Sequence, residues 1–126
     1  MSRTIIATTA APLAPPAYSQ AVVCAGLVFV SGTAPMDPQT GKMVEGSVQE
    51  QVAQCLANIS AILAAAGSSL DRAVSATLIL ADEDDFTGAS EEWLKWFKVD
   101  PPARQGARMP VRIPGMKVSI AIIAEA

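Results

Sequence analysis

The chain has 126 residues, 51% of them apolar and only 17% charged, with 9 basic against 12 acidic side chains, a net charge of −3 and no histidine. A chain of this length and apolarity buries a core without disulfide or metal staples, so one domain over residues 1–126 is expected and a disordered tail is not. The missing histidine excludes Ser-His-Asp and Cys-His chemistry and nearly every zinc site that is not all-cysteine, for which Cys24 and Cys55 are too few, and the acidic balance leaves no basic footprint for nucleic acid.

Residues 4–7 open the chain as a short β-type run. The Ala/Pro-rich stretch 9–17 follows, where Pro12, Pro15 and Pro16 impose an extended, irregular path and break any signal-peptide core. Residues 21–24 and 27–31 read as two strands joined by Ala25-Gly26, a tight hairpin signal. Asp37-Pro38-Gln39-Thr40-Gly41 reads as a turn, with proline at its second position and glycine closing it.

Ser47-Val48-Gln49-Glu50 is a capping box that starts a first helix. Val48, Val52, Cys55, Ile59, Ile62 and Leu63 fall on one helical face, and Gly67 supplies the stop. Residues 72–80 are rich in β-branched side chains and read as a strand. A second helix is expected from Asp82, with Glu83, Asp84 and Asp85 at the positive end of its dipole and Phe86, Ala89, Trp93, Trp96 and Phe97 as its apolar stripe. Pro101-Pro102 ends it, and residues 104–109 and 117–124 are the last strands.

The fold class is therefore α+β, a sheet with two helices on one face. Leu27-Val28-Phe29-Val30, Thr77-Leu78-Ile79-Leu80 and Ile120-Ala121-Ile122-Ile123 are apolar on both strand faces, as strands covered on both sides are. Two helices cover one face only. A second copy of the chain is the cheapest cover for the other, so a homo-oligomer is expected. The longest apolar runs, 21–30 and 120–124, fall far short of the roughly 20 residues that span a bilayer, so no membrane partner is expected and the cytoplasm is the expected location.

Several motifs point to little. Asn58-Ile59-Ser60 matches a glycosylation acceptor but lies mid-helix. Gly41-Lys42 lacks the remainder of a phosphate-binding loop, and the acids at 82–85 read as dipole complement rather than a metal site. Arg104 is different. It opens a predicted strand among apolar segments, where a permanent cation must meet an anion, either an internal acid or a carboxylate ligand held bidentately. Arg108 and Arg112 share its segment as a potential basic edge, which Pro110 interrupts. Tyr18-Ser19-Gln20 offers a phenol and a hydroxyl on a stiff segment suited to lining a pocket, and Gly32 after Ser31 permits close backbone approach at a strand end.

Together these residues resemble the Rid/YjgF family, the reactive-intermediate deaminases, also known as the L-PSP endoribonuclease family. Ala14-Pro15-Pro16-Ala17-Tyr18-Ser19-Gln20-Ala21 is similar to its GPYSQA opening, with Ala17 where the family has glycine. Phe29-Val30-Ser31-Gly32 is similar to its strand end, and Pro35 with Asp37-Pro38-Gln39-Thr40-Gly41 to its turn. Gln51 to Asn58, with Leu63-Ala64-Ala65-Ala66-Gly67, resembles its first helix, and Pro102-Ala103-Arg104 its P-x-R element.

The resemblance implies a chorismate-mutase-like two-layer sandwich whose mixed sheets pack as the central barrel of a homotrimer, with ligand sites between subunits. It implies hydrolysis of small 2-imino or 2-enamino acids such as 2-aminoacrylate, with no cofactor and no metal. Arg104 would grip the carboxylate, with Tyr18, Ser31, Gly32, Ser90 and Gly106 completing the site. Ser119 stands where the family's last strand carries the glutamate that holds the water, Ser90 where its second helix carries asparagine, and Gly106 where cysteine or a small β-branched residue is common. A divergent trimer that only binds small 2-oxo acids is the alternative, and RNA cleavage sits poorly with the charge balance and the single tyrosine.

Overall fold

The computed structural model describes residues 2–110 and 113–126, so Arg112 lies outside the described residues. Six strands, β1 (Thr4–Ile6), β2 (Ala21–Cys24), β3 (Leu27–Thr33), β4 (Ala73–Leu80), β5 (Ala103–Arg108) and β6 (Val118–Glu125), form one sheet in the order β1-β2-β3-β6-β4-β5. Helices α1 (Val48–Ala65) and α2 (Phe86–Trp96) carry the chain from β3 to β4 and from β4 to β5. β4 and β5 run parallel, a pairing that needs a crossover such as α2. β6 inserts antiparallel between β3 and β4, which makes it the centre of the sheet.

Local signals set most element ends. At the β2–β3 hairpin Ala25 and Gly26 both have positive φ, 55° and 77°, as a two-residue turn matched to strand twist requires. The capping box forms: Glu50 N–H donates to Ser47 Oγ at 3.2 Å, and Ser47 N–H to Glu50 Oε1 at 3.3 Å. At the other end of α1, Gly67 takes φ 80° while Ser68 N–H donates to the Leu63 carbonyl and Gly67 N–H to that of Ala64, the Schellman pattern.

The second helix starts later than its acidic run suggests. Asp82 caps a 3-10 turn, Glu83–Asp85, through a bond from Asp84 N–H to its Oδ1, and α2 proper begins at Phe86. An N-cap carboxylate serves either helix type, so the cap alone does not tell them apart. β3 also runs past Ser31 to Thr33, and Phe97 is the C-cap of α2 rather than part of its body.

Both helices lie on the sheet face that carries Val28, Val30, Leu78, Leu80, Val118, Ile120 and Ile122, all buried against Val52, Leu56, Ile59, Leu63 and Trp93. Burying each such side chain contributes about 1.5–3 kcal/mol, so this layer is the stabilising core. Cys55 sits within it, and burial pushes its thiol well above the ordinary thiol range. Cys24 lies on the opposite face, beside Leu27, so the sheet separates the two and no disulfide joins them.

Two polar residues share the apolar face of α1. Gln51 donates from Nε2 to the carbonyls of Val44 (2.9 Å) and Gly115 (2.8 Å), and its Oε1 accepts from Lys117 N–H (2.7 Å). Asn58 donates from Nδ2 to the carbonyls of Ala34 (3.2 Å) and Met36 (2.9 Å), which commits the amide that a glycan would need. These buried amides hold the irregular segments after β3 and before β6 onto the helix. Gln51→Leu keeps the volume and strands three backbone groups. The expected loss is about 3 kcal/mol, roughly 10 °C in Tm by calorimetry. An unchanged Tm would mean that water replaces the amide without cost.

The other face of the sheet carries Val22, Leu27, Phe29, Ile79, Ala121 and Ile123, contiguous across β2, β3, β6 and β4. No helix covers it, and Phe29 is 42% exposed. Among the described residues no helix is long and apolar enough to cross a membrane.

Candidate functional site

Tyr18, Ser31, Gly32 and Ser119 come together in one cleft of about 380 Å³. The proline-rich segment forms one wall and is pinned from below by the buried Gln20, whose Nε2 donates to the carbonyls of Thr8 (3.0 Å) and Pro12 (2.7 Å) while its Oε1 accepts from Thr8 N–H (2.7 Å). Tyr18 N–H donates back to the Pro15 carbonyl, and Tyr18 joins the cleft lining.

A register shift between Val30 and Thr33 takes Ser31 and Gly32 out of the ladder with β6, as a β-bulge does beside a site. Ser31 Oγ donates to the Ser19 carbonyl at 2.6 Å, so toward a ligand it presents an acceptor. A Cβ at Gly32 would meet nothing within 4 Å, which leaves its backbone open to close approach. Ser119 is half-buried on the uncovered sheet face, paired in register with Ile79.

Arg104, Ser90 and Gly106 lie elsewhere. Arg104 projects from the edge strand β5 on the helix side, in register with the buried Ala76. Its Nη2 donates to Ser90 Oγ at 3.0 Å, and the guanidinium carbon stands 5.4 Å from the centroid of the Trp93 ring. It lines an open groove with Phe86, Thr87, Ser90, Glu91 and Leu94. Among the described residues the ion pair is Lys95 with Glu92, and no carboxylate lies within salt-bridge distance of Arg104. The internal-acid alternative is thereby removed for this region, and the positive charge faces the groove.

Gly106 follows on the same face, where a Cβ would stand 2.6 Å from Phe86 Cε1. The Phe86 ring thus fills the space that a side chain at 106 would occupy, and the two residues are matched. Arg108 shares this face at the far end of β5.

The candidate residues therefore fall into two groups that one copy of the chain does not unite. Ser119 is on β6 and faces away from the helices, while Arg104 is two strands across and faces toward them. The acids at 82–85 converge on no cation: among the described residues no group of three or more His, Cys, Asp or Glu could hold a metal ion.

Gln20, Gln51, Asn58 and the cleft-lining Leu13, Met36, Ile113 and Met116 are not singled out by strand and helix periodicity, which places Ile62 on the helix face but not in a cleft. One signal existed for the amides. Gln51 and Asn58 stand seven residues apart on the apolar face of a helix, where an uncompensated polar side chain is costly.

The family model "Endoribonuclease L-PSP" matches residues 8–126. A 2-iminobutanoate/2-iminopropanoate deaminase of Capra hircus is 39% identical over 122 residues, 97% of this chain and 89% of that one, and its Homo sapiens counterpart is 37% identical over the same shares. Among solved structures, RidA from the Antarctic bacterium Psychrobacter sp. superposes with a TM-score of 0.92 at 34% identity, covering 98% of this chain and 99% of that one. E. coli TdcF with bound serine superposes with a TM-score of 0.90 at 32% identity over 98% of each chain.

Proposed function

The chain belongs to the endoribonuclease L-PSP family, the family of the Rid deaminases, and from that membership we propose that it hydrolyses 2-imino and 2-enamino carboxylic acids to 2-oxo acids and ammonia. The observation that carries this reading is the Arg104 guanidinium, steadied by Ser90 and Trp93 with no acid paired to it among the described residues. A planar fork of N–H donors suits a carboxylate, which it binds bidentately.

Sites completed by a neighbouring copy follow from the same reading. The cleft around Ser31, Gly32 and Ser119 has no charged residue in its lining among the described residues, and the arginine that would hold a carboxylate there lies on the opposite face of its own chain. A homotrimer in which the uncovered sheet faces meet would bury Phe29, Ile79 and Ile123 and could bring Arg104 of one subunit to the cleft of the next. A bound serine in the TdcF structure supports a small carboxylate as the ligand class.

The chemistry needs no redox step. The enamine gains a proton on its terminal carbon and loses one from nitrogen to become the imine. Water then adds through its oxygen to C2, and the nitrogen takes up the proton that the water loses. The hydroxyl proton of this carbinolamine passes to nitrogen as C=O forms and the C–N bond breaks, and ammonia leaves. Ser119 and the backbone at Gly32 would hold the water in line with C2, so rate comes from positioning rather than from a carboxylate base.

A second reading, a binding protein for small 2-oxo acids, is favoured by one feature, the hydroxyl of Ser119, which offers no carboxylate base at the position where the family resemblance implies one. The two separate in one assay. Imines made in situ by an amino-acid oxidase are expected to release ammonia faster with the protein than in buffer. Unaccelerated release together with 2-oxo acid binding selects the second reading, and neither activity would sink both.

A further inference from the structure

We infer that the acid bound at this site carries an uncharged, apolar side chain at least as large as isobutyl, seated in the cleft beside Ser119. This rests on the reading of the site given above and adds to it the identity of the side chain attached to C2. Tyr18, Ser31 and Ser119 share the lining of the cleft with five large apolar side chains, Leu13, Met36, Ile62, Ile113 and Met116.

Among the described residues no Asp, Glu, Lys or Arg lines the cleft, so an acidic or basic side chain would lose its hydration there without gaining a partner from them. A three-carbon acid places one methyl group against a wall built from five large side chains. Much of a 380 Å³ space, within the ~300–1,000 Å³ range of small-molecule sites, would then stay filled with water against hydrocarbon. Leu13 and Ile113 are 78% and 39% exposed, and a larger apolar group takes their surfaces out of water. Two methionines in the wall let it close around branched or aromatic shapes.

Calorimetry with stable 2-oxo acids tests this on the full-length protein. Each buried methylene contributes roughly fourfold in affinity. 4-Methyl-2-oxopentanoate and phenylpyruvate are expected to bind at least tenfold more tightly than pyruvate, and 2-oxoglutarate no more tightly than pyruvate. Ile113→Ser and Met116→Ser should each reduce the ratio at least threefold. Equal affinities, a preference for pyruvate, or a ratio unmoved in both variants would overturn the inference while ammonia release from imines left the deaminase reading standing. Should no 2-oxo acid bind, the inference falls, and the deaminase reading falls with it only if imines release ammonia no faster than in buffer.

Discussion

Arg104→Ala is expected to lose at least about thirtyfold in affinity for a small 2-oxo acid, and a similar factor in kcat/KM for imine hydrolysis, while the fold and the assembly persist. Truncating one partner of a close charged pair typically costs about 2–5 kcal/mol of binding, which sets that floor. The side chain is exposed at the sheet edge, and its tie to the protein is one hydrogen bond to Ser90 and the face of Trp93. The fall in Tm should therefore stay within a few degrees. Arg104→Lys keeps the charge but not the fork, and should recover only part of the loss. Calorimetric titration and sedimentation of the same preparations give the answer. Unchanged affinity with a broken assembly would make Arg104 a structural residue and remove the basis of the proposed activity.

Ser119→Glu is expected to raise turnover of imines about a hundredfold. A carboxylate placed beside the water can take its proton, and such general-base help is typically worth about 10²–10⁴-fold. Position 119 is half-buried, next to Ile79 in register and open to the cleft. Partial desolvation there raises a carboxyl pKa toward neutrality, which improves it as a base. The variant should show its gain as a rise in kcat with a pH dependence that the parent lacks, and a somewhat lower Tm from the buried charge. A parent-like kcat in a variant that still binds 2-oxo acids would show that the attacking water is not held at this position.

These two residues also mark where sequence reasoning stops. Each is identifiable along the chain, Arg104 as a cation among apolar segments and Ser119 by resemblance to a family strand. Neither signal reveals that they sit on opposite faces of the sheet. That follows from register: Leu78 pairs with Gly106 and Ile79 with both Ala107 and Ser119, which sends the even-numbered residues of β5 toward the helices and Ser119 away from them. A shift of one residue in either pairing would exchange the faces.

The buried amides show a different limit. Periodicity registers Gln51 and Asn58 as gaps in an apolar stripe, whereas the fold uses them as clamps on backbone 24 and 64 residues away in sequence. Phe86 and Gly106 make the same point, since the need for glycine at 106 comes from a ring twenty residues earlier in the chain.

What the chain alone determined was local: the Ser47–Glu50 capping box, the Gly67 stop, the Ala25-Gly26 turn and the strand runs that are apolar on both faces. Such features are set by hydrogen bonds and dihedral preferences that span a few residues, so they can be read in any window that contains them. Tertiary structure alone decided the bulge that frees Ser31 and Gly32, the cleft wall, and the division of the site residues between two faces. Those depend on which strands pair and in what register, and pairing is chosen by the burial of the whole core at once.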